Sequence, residues 1–243
     1  MTTLQFDKIL NHLRKGEIKL EGKFVHGSNY TFLVKIHPEE DEPFLAVYKP
    51  VEGERILWDF PDNTLAHREV ATFLVSEALG WQLVPPTVFR EDAPFGSGSV
   101  QLFVEHDPNI HYFNFRNTEI QTLRPVVLFD LLINNADRKG GHVILGKDNH
   151  IWLIDHGLSF NVDEKLRTVI WDFAGESIPE DLRAPLENLR NKLETPPKVL
   201  DKLENLLSPE EIAALIDRTK ALIACKEFPH PPKDRRAYPF PPV

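Results

Sequence analysis

The chain is poor in cysteine, has no long apolar run and carries an excess of acidic residues. Cys225 is the single cysteine among 243 residues, so an intrachain disulfide is excluded and a cysteine cluster for zinc is not expected. No run approaches the ~18 consecutive apolar residues that span a bilayer, and the first residues lack the basic stretch and apolar segment of a secretory signal. We therefore predict a cytoplasmic protein without a transmembrane segment.

The formal net charge of −9 argues against nucleic acid or an anionic membrane as a general partner, because the field of the protein would repel both. Apolar residues make up 42% of the chain and charged residues 27%, as in ordinary soluble globular proteins. The length allows one large domain or two lobes that share a cleft. No internal repeat is visible.

The first hundred residues follow an α+β pattern. Apolar residues at helical spacing end at Gly16, and the period then changes to the alternation of strands. In chain order, the pattern predicts strands at 17–25 and 30–36 joined by a hairpin turn, a third strand at 44–49, a helix at 64–79 that stops at Gly80, and a strand at 100–104. This part is expected to be mainly antiparallel sheet with one principal helix.

From about residue 118 the pattern becomes mainly helical, with a predicted helix over 119–132 and several helices after Pro179. Ser208-Pro209-Glu210-Glu211 has the N-cap serine, early proline and glutamate of a capping box, and predicts a helix start. Proline and polar residues near 105–109 mark the predicted boundary between an N-terminal lobe, 1–105, and a C-terminal lobe, 106–228. The proline-rich tail, 229–243, is expected to form no regular structure.

Two acidic loops are the most informative feature of the sequence. Asp137 is followed by Lys139 and His142, and Asp155 comes eighteen positions after Asp137 at the end of an apolar run. Phosphoryl transfer needs an acidic residue that receives the proton of the acceptor hydroxyl, a cation near the phosphates, and ligands for magnesium. The order of the two loops predicts Asp137 and Lys139 as catalytic residues and His142 and Asp155 as metal ligands.

Residues upstream supply further parts of a phosphate site. Lys49 ends an otherwise apolar strand, and Glu69 lies among apolar positions of the following helix, which is an unusual place for a carboxylate. We expect an ion pair in which Glu69 directs Lys49 toward the phosphates of a nucleotide. The hairpin turn Gly27-Ser28-Asn29 is expected to lie over the same phosphates, although hairpin turns commonly use such residues.

In this order, the residues resemble the protein-kinase-like superfamily, and most closely its atypical branches. The stretch 67–74, followed by Leu79-Gly80 and Val84-Pro85-Pro86-Thr87, is similar to the regulatory-helix region of phosphatidylinositol 3/4-kinase-related proteins. It also resembles that of HipA-type kinases and of kinases of the secretory casein-kinase type. The resemblance covers roughly residues 17–175, and a bacterial family of kinase-like proteins is the nearest match.

The resemblance implies a two-lobed fold with an ATP site between the lobes that depends on Mg²⁺, with Mn²⁺ as an alternative. The adenine would be held by a hinge that includes Gln101, Phe103 and Val104. Two positions depart from the family pattern. His142 stands where the family has asparagine, and His156 stands where it usually has phenylalanine.

The acceptor remains open, because a protein hydroxyl, a lipid head group and a small metabolite need the same base and metal. Transfer of AMP on the same fold is an alternative. So is a nucleotide-binding pseudokinase or scaffold. The histidine at 142, in place of the family's asparagine, favours this alternative, although imidazole can also coordinate metal.

Two other metal sites compete with this interpretation. Asp172, in Trp171-Asp172-Phe173-Ala174-Gly175, is a second candidate for the metal loop, but Asp155 has the family's distance from Asp137. A zinc or iron hydrolase site is the other alternative, since imidazole and carboxylate are normal ligands for these metals. It would combine Asp137 or Asp155 with His142, His150 and His156.

Overall fold

The computed structural model describes residues 3–24, 29–194 and 199–243. The first of its two parts has a five-stranded antiparallel sheet with the strand order β1-β2-β3-β5-β4. Its elements are α1 (Thr3–Lys15), β1 (Glu17–Lys23), β2 (Phe32–His37), β3 (Phe44–Pro50), α2 (Leu65–Leu79), β4 (Thr87–Arg90) and β5 (Gly98–Leu102).

The second part combines helices with a three-stranded antiparallel sheet. Its elements are β6 (His106–His111), α3 (Asn117–Ile120), α4 (Arg124–Ile133), β7 (Val143–Gly146), β8 (Ile151–Leu153), α5 (Arg183–Glu194), α6 (Val199–Glu204) and α7 (Pro209–Ala224). Among the described residues, no helix is both long and apolar enough to cross a membrane.

The sheet of the first part fixes the position of Lys49 near the end of β3. Lys49 is opposite Ser99, and Pro50 is opposite Gly98, in the register of β3 and β5. A Cβ atom on Gly98 would lie 2.3 Å from the carbonyl oxygen of Lys49, a separation that real side chains do not tolerate. Glycine at 98 therefore lets β5 approach β3 closely where Lys49 turns toward the cleft.

Helix α2 joins the two parts of the molecule. It contacts β4 and β5 on one side and α5 and α6 on the other, and most of its residues are buried. Arg68 is fully buried and donates to Glu211 of α7 and to the carbonyl of Ser159 at 2.5 Å. The helix ends at Gly80, whose φ of 73° lies in the left-handed region that glycine adopts without strain. Because α2 is anchored in both parts, Glu69 is held firmly at their junction.

Most predicted elements are present, with three differences. The predicted helix over 119–132 is divided into α3, a short turn and α4, because Pro125 starts a new helix in the first turn of α4. The predicted strand at 100–104 lies at 98–102. The sheet β6-β7-β8 was not predicted, because β7 and β8 have only four and three residues and β6 contains a proline and several polar residues, so none shows a clear alternating pattern.

The capping box at Ser208 and the absence of helix or strand from 229–243 agree with the sequence analysis. Ser208 Oγ accepts from Glu211 N at 3.2 Å, and Glu211 Oε2 accepts from Ser208 N at 2.9 Å. The division into 1–105, 106–228 and 229–243 stays a prediction.

Candidate active site

The cleft between the two sheets contains a cavity of about 340 Å³. This volume lies within the range of pockets that hold small ligands and cofactors. Lys49 and Glu69 line it from the first part, and His142 and Asp155 line it from the second. The described part of the chain therefore brings together four of the residues that were predicted from widely separated segments.

Lys49 is bonded to two carboxylates. Its ammonium pairs with Glu69 Oε1, as predicted, and donates to Asp155 Oδ1 at 3.0 Å. Burial alone would lower the pKa of Lys49, but Asp155 and Glu69 outweigh that effect and hold the pKa above its ordinary value. Lys49 therefore remains charged near neutral pH and is available to an anionic ligand.

Glu69 is almost completely buried, and only its strong partners keep it ionised. Burial alone would raise the pKa of Glu69, but Lys49 and a hydrogen bond involving His156 lower it to about 2. Glu69 Oε2 also accepts from the backbone N of His156 at 3.0 Å. One carboxylate thus links β3, α2 and the loop after β8.

Asp155 has an unusual backbone conformation. Its φ is 61°, in the left-handed region, where aspartate is tolerated better than most residues because of its short polar side chain. The conformation leaves its side chain 53% exposed beside Lys49. The adjacent charge of Lys49 holds the pKa of the Asp155 carboxyl well below its usual range. Such strained residues are common at binding sites.

His142 lies beside Asp155, with 3.3 Å between Nε2 and Asp155 Oδ2. Burial lowers the pKa of His142 to about 4, although Asp155 opposes the effect. The imidazole is therefore neutral near pH 7, which is the form that binds metal ions. Its buried Nδ1 has no hydrogen-bond partner among the described residues.

His142 and Asp155 together fit a divalent cation that takes its other ligands from phosphates and water. The part of the chain that the structure describes contains no group of three or more His, Cys, Asp or Glu arranged to hold a metal. A protein site with one or two ligands is normal for Mg²⁺ bound to substrate phosphates. The nitrogen donor of His142 suits transition metals better than a purely oxygen-donating site does.

A buried ion pair between Arg138 and Asp130 holds the loop that carries Asp137. Arg138 is fully buried and donates to both carboxylate oxygens of Asp130, at 2.9–3.1 Å. It also donates to the carbonyl of Ile154 at 3.0 Å and contacts His156 Nε2 at 2.8 Å. Arg138 therefore ties the loop at 137–142 to α4 and to the strand end before Asp155.

Asp137 itself is part-buried beside Lys139, with 3.2 Å between Lys139 Nζ and Asp137 Oδ2. Burial raises the pKa of the Asp137 carboxyl, an effect that Lys139 opposes. A carboxylate with a raised pKa is a better proton acceptor than an exposed one, which is the property required of a general base.

The proline-rich segment 235–242 packs against the same loop. The amide of Gly140 donates to the carbonyl of Pro242 at 2.8 Å, and the amide of Thr168 donates to the carbonyl of Ala237 at 3.1 Å. A Cβ atom on Gly140 would lie 2.6 Å from the ring of Phe113. Gly140 is thus enclosed between Phe113 and segment 235–242, and neither neighbour was identified from the sequence.

Arg167 is a further residue on this side that the sequence analysis missed. Its amide donates to the carbonyl of Asn135 at 2.9 Å, and its carbonyl accepts from the amide of Arg138 at 3.0 Å. These bonds hold it beside the loop of Asp137, and its charge lowers the pKa of that carboxyl, although the effects of burial and of Lys139 are larger. No sequence motif marked it, because its position depends on a contact between two loops.

Of the six residues predicted for the adenine hinge and the hairpin turn, four line the cavity and two lie outside the described residues. Asn29, Gln101, Phe103 and Val104 line the cavity, whereas Gly27 and Ser28 lie outside the described residues. The Gln101 side-chain amide donates to Thr87 Oγ1 at 2.9 Å. The roles of all these residues in binding a nucleotide stay predictions.

Glu54 is a cavity residue that was not predicted. Its carboxylate accepts from the amides of Leu65 and Ala66 at 3.0 and 2.7 Å, and so caps the start of α2 from the preceding loop. Sequence spacing gave no sign of this contact because the cap comes from outside the usual N-cap position.

The competing metal sites are not assembled by the described residues. Asp172 accepts from the hydroxyl of Tyr112 at 2.7 Å and does not line the cavity. His150 bonds to the carbonyl of Gln82 at 2.8 Å, and His156 is fully buried against Arg138 and Glu69. No group of three or more potential ligands is formed among the described residues, which does not support the zinc or iron hydrolase alternative.

Similarity to known proteins agrees with this geometry. No protein-family model matches the chain. Over 271 aligned positions the chain is 36% identical to Protein Rv2133c of Mycobacterium tuberculosis, and the match covers 94% of this chain and 93% of that protein. The chain belongs to the Rv2133c family.

Two further similarities connect this Rv2133c-family member with kinases. Over 156 aligned positions the chain is 26% identical to Phosphatidylinositol 4-kinase gamma 4 of Arabidopsis thaliana, and the match covers 47% of this chain and 28% of that protein. The structure of the Golgi casein kinase with Mn/ADP bound matches with a TM-score of 0.55 at 18% identity, covering 92% of this chain and 76% of that chain. The Rv2133c-family chain has a two-lobed, protein-kinase-like α+β fold, as predicted.

Proposed function

We propose that this Rv2133c-family protein is an ATP-dependent phosphotransferase that uses a divalent cation. One observation carries the proposal. Lys49 is shared between the buried Glu69 and the half-exposed Asp155, beside His142, in a cavity whose remaining wall is largely apolar. A fixed cation, an acidic metal ligand and an apolar compartment are what binding of a nucleotide triphosphate in a kinase requires.

The chain's own residues have separate roles in the proposed reaction. Lys49, directed by Glu69, binds phosphate oxygens. Asp137 accepts the proton of the acceptor hydroxyl while the acceptor oxygen bonds to the γ-phosphorus and the bond to the bridging oxygen of ADP breaks. Lys139, beside Asp137, balances the negative charge of the transferred group.

Charge neutralisation of the phosphates is the chemistry that a divalent cation supplies at such a site, and His142 and Asp155 are the residues that would hold it. Because His142 offers a nitrogen rather than an oxygen, we expect Mn²⁺ to support activity at least as well as Mg²⁺. The Mn/ADP complex of the Golgi casein kinase supports testing this metal first.

Asp137→Asn tests the proposal most directly. The variant should bind Mn-ATP nearly as well as the parent, because Asp137 acts mainly in the transition state, yet lose transfer by about 10²–10⁴-fold. Neither aspartate lines the cavity, but Asp172 is bonded to the Tyr112 hydroxyl and has no role in the proposed reaction, so Asp172→Asn is the matched control with the same chemical change. Calorimetry would measure binding, and ATP consumption with mass spectrometry of products would measure transfer.

The acceptor screen should include the protein itself, other proteins, small polyols and inositol lipids. The partial similarity to a phosphatidylinositol 4-kinase supports including the last group. Products that carry AMP instead of phosphate would replace the proposed reaction by nucleotidyl transfer. Tight Mn-ATP binding with no consumption of ATP across the screen would favour a pseudokinase.

A further inference from the structure

The end of the hinge segment presents two unused hydrogen-bonding groups. His106 Nδ1 bonds to the carbonyl oxygen of Val104 at 2.8 Å, and both residues line the cavity. A carbonyl can only accept, so Nδ1 carries the hydrogen, and in the neutral ring Nε2 is left as an acceptor. Among the described residues, neither His106 Nε2 nor the amide of Val104 has a hydrogen-bond partner.

Next to Val104 and His106, apolar side chains line the cavity on two opposite faces. Val47 of β3 lines it from the first part, and Ile144 of β7 and Ile154 line it from the second. Apolar side chains on opposite sides, with a few polar groups at the edge, are the usual surroundings of a flat aromatic ligand. The amide of Val104 and the ring of His106 are then the groups available to recognise the edge of a base.

We propose that His106 selects adenine over guanine. The inference rests on the proposed binding of a nucleoside triphosphate and specifies the base. Adenine pairs an N6 amine donor with the N1 acceptor, and this edge matches an Nε2 acceptor beside an amide donor. Guanine presents the O6 acceptor and an N1–H donor, so both of its groups would oppose groups of the same kind.

The Val104 carbonyl is already an acceptor for the ring of His106. His106 Nε2 therefore takes the place of the Val104 carbonyl as the acceptor at this position. The side chain at 106 decides whether the position accepts or donates a hydrogen bond. Replacing the imidazole by a group that only donates should remove the preference, because the new donor suits guanine O6 while the Val104 amide still suits adenine N1, and the residues that bind phosphate are unchanged.

Calorimetric titration with Mn²⁺ complexes of the β,γ-imido analogues of ATP and GTP tests the inference. The parent should bind the ATP analogue about ten- to a hundredfold more tightly, since a matched pair of hydrogen bonds discriminates between bases by that order. In His106→Lys the ammonium only donates, so each base then has one matched and one mismatched group and the ratio of the two affinities should fall to near one.

His150→Lys is the matched control. His150 also bonds to a backbone carbonyl, that of Gln82 at 2.8 Å, but it does not line the cavity. The same substitution there should leave the affinity ratio unchanged. A comparison that needs no variant is the triphosphate of purine riboside, which lacks the N6 amine and should bind the parent about tenfold more weakly than ATP, as expected for the loss of one hydrogen bond.

The possible results separate this inference from the proposed function. Equal binding of ATP and purine riboside triphosphate, a parental preference for GTP, or an unchanged ratio in a folded His106→Lys variant would overturn the role of His106 alone. Failure of the parent to bind any of the triphosphates would overturn the proposed function as well.

Discussion

The two sides of the cleft, which we propose to hold the nucleotide and the acceptor and name accordingly, are built in different ways. On the nucleotide side, Lys49 and Glu69 belong to a regular strand and a regular helix. On the acceptor side, Gly140 is enclosed by Phe113 and by Pro242, which come from irregular segments far apart in the chain. The comparison teaches that regular elements determine side-chain direction locally, whereas loops acquire it from tertiary contacts.

The two sides also differ in how their charges are used. Lys49 is paired but 22% exposed, and so remains accessible to a ligand. Arg138 and Asp130, next to the acceptor side, are both buried. We interpret the first pair as part of the binding surface and the second as the support of the loop that carries Asp137.

The largest stability effect is expected at that support. Asp130→Asn should lower the free energy of unfolding by about 3–5 kcal/mol, because it leaves the guanidinium of Arg138 buried without its counter-charge. Urea unfolding would measure the loss. Glu105→Gln is the matched control, since Glu105 pairs with Lys147 at an exposed position, where ion pairs contribute little to stability. Similar losses of unfolding free energy in the two variants would show that the buried Asp130–Arg138 pair stabilises the protein no more than an exposed pair does.

The next effect concerns the nucleotide side. Lys49→Met and Glu69→Gln should each weaken Mn-ATP binding, and the double variant should depart from additivity by about 0.5–3 kcal/mol because the two side chains act as a unit. A double-mutant cycle measured by calorimetry gives the coupling. Lys8→Met and Asp41→Asn, which remove a surface pair, provide a control cycle with no expected effect on binding. Strictly additive effects of Lys49→Met and Glu69→Gln would contradict the hypothesis that Glu69 orients Lys49 toward the nucleotide phosphates.

A third prediction contrasts two glutamates of α2. Glu69 is held ionised by Lys49, whereas Glu77 has no cation partner among the described residues, and burial raises its pKa from 4.5 to about 7. Because the folded state then binds the proton more strongly than the unfolded state, the free energy of unfolding should fall as pH rises from about 4.5 to about 7. We expect a loss of about 1–2 kcal/mol, reduced from the full shift because the side chain is only part-buried.

Glu77→Gln should remove this pH dependence. The variant should match the parent below about pH 4.5 and be more stable above about pH 7. Denaturant unfolding across this range measures both curves. A variant that parallels the parent at every pH would mean that burial of Glu77 does not control the slope.

The smallest effect is expected when the chain is shortened after Pro239. This removes the carbonyl of Pro242 that accepts from Gly140. Loss of one such hydrogen bond should slow transfer by about 2–10-fold and leave Mn-ATP affinity unchanged. Phe240→Ala is the control, because that ring is 79% exposed and the variant keeps the Pro242 carbonyl. Hydrogen exchange at the Gly140 amide gives a readout independent of activity, and unchanged protection there would contradict the contact.

The sequence by itself determined the elements whose residues repeat with a clear period. The strands of the first sheet, helix α2 and the start of α7 were predicted because apolar spacing, glycine at 80 and the capping box at 208 act within a few neighbouring residues. The Lys49–Glu69 pair could be predicted because a strand end and a helix face each fix a side-chain direction.

Tertiary structure alone decided the rest. The short sheet β6-β7-β8, the left-handed backbone at Asp155, the burial that neutralises His142 and the enclosure of Gly140 depend on contacts between segments distant in the chain. Their physical causes are desolvation, close approach and hydrogen bonds between loops. A motif supplies residue types and spacing, but these forces act only once the segments have been brought together.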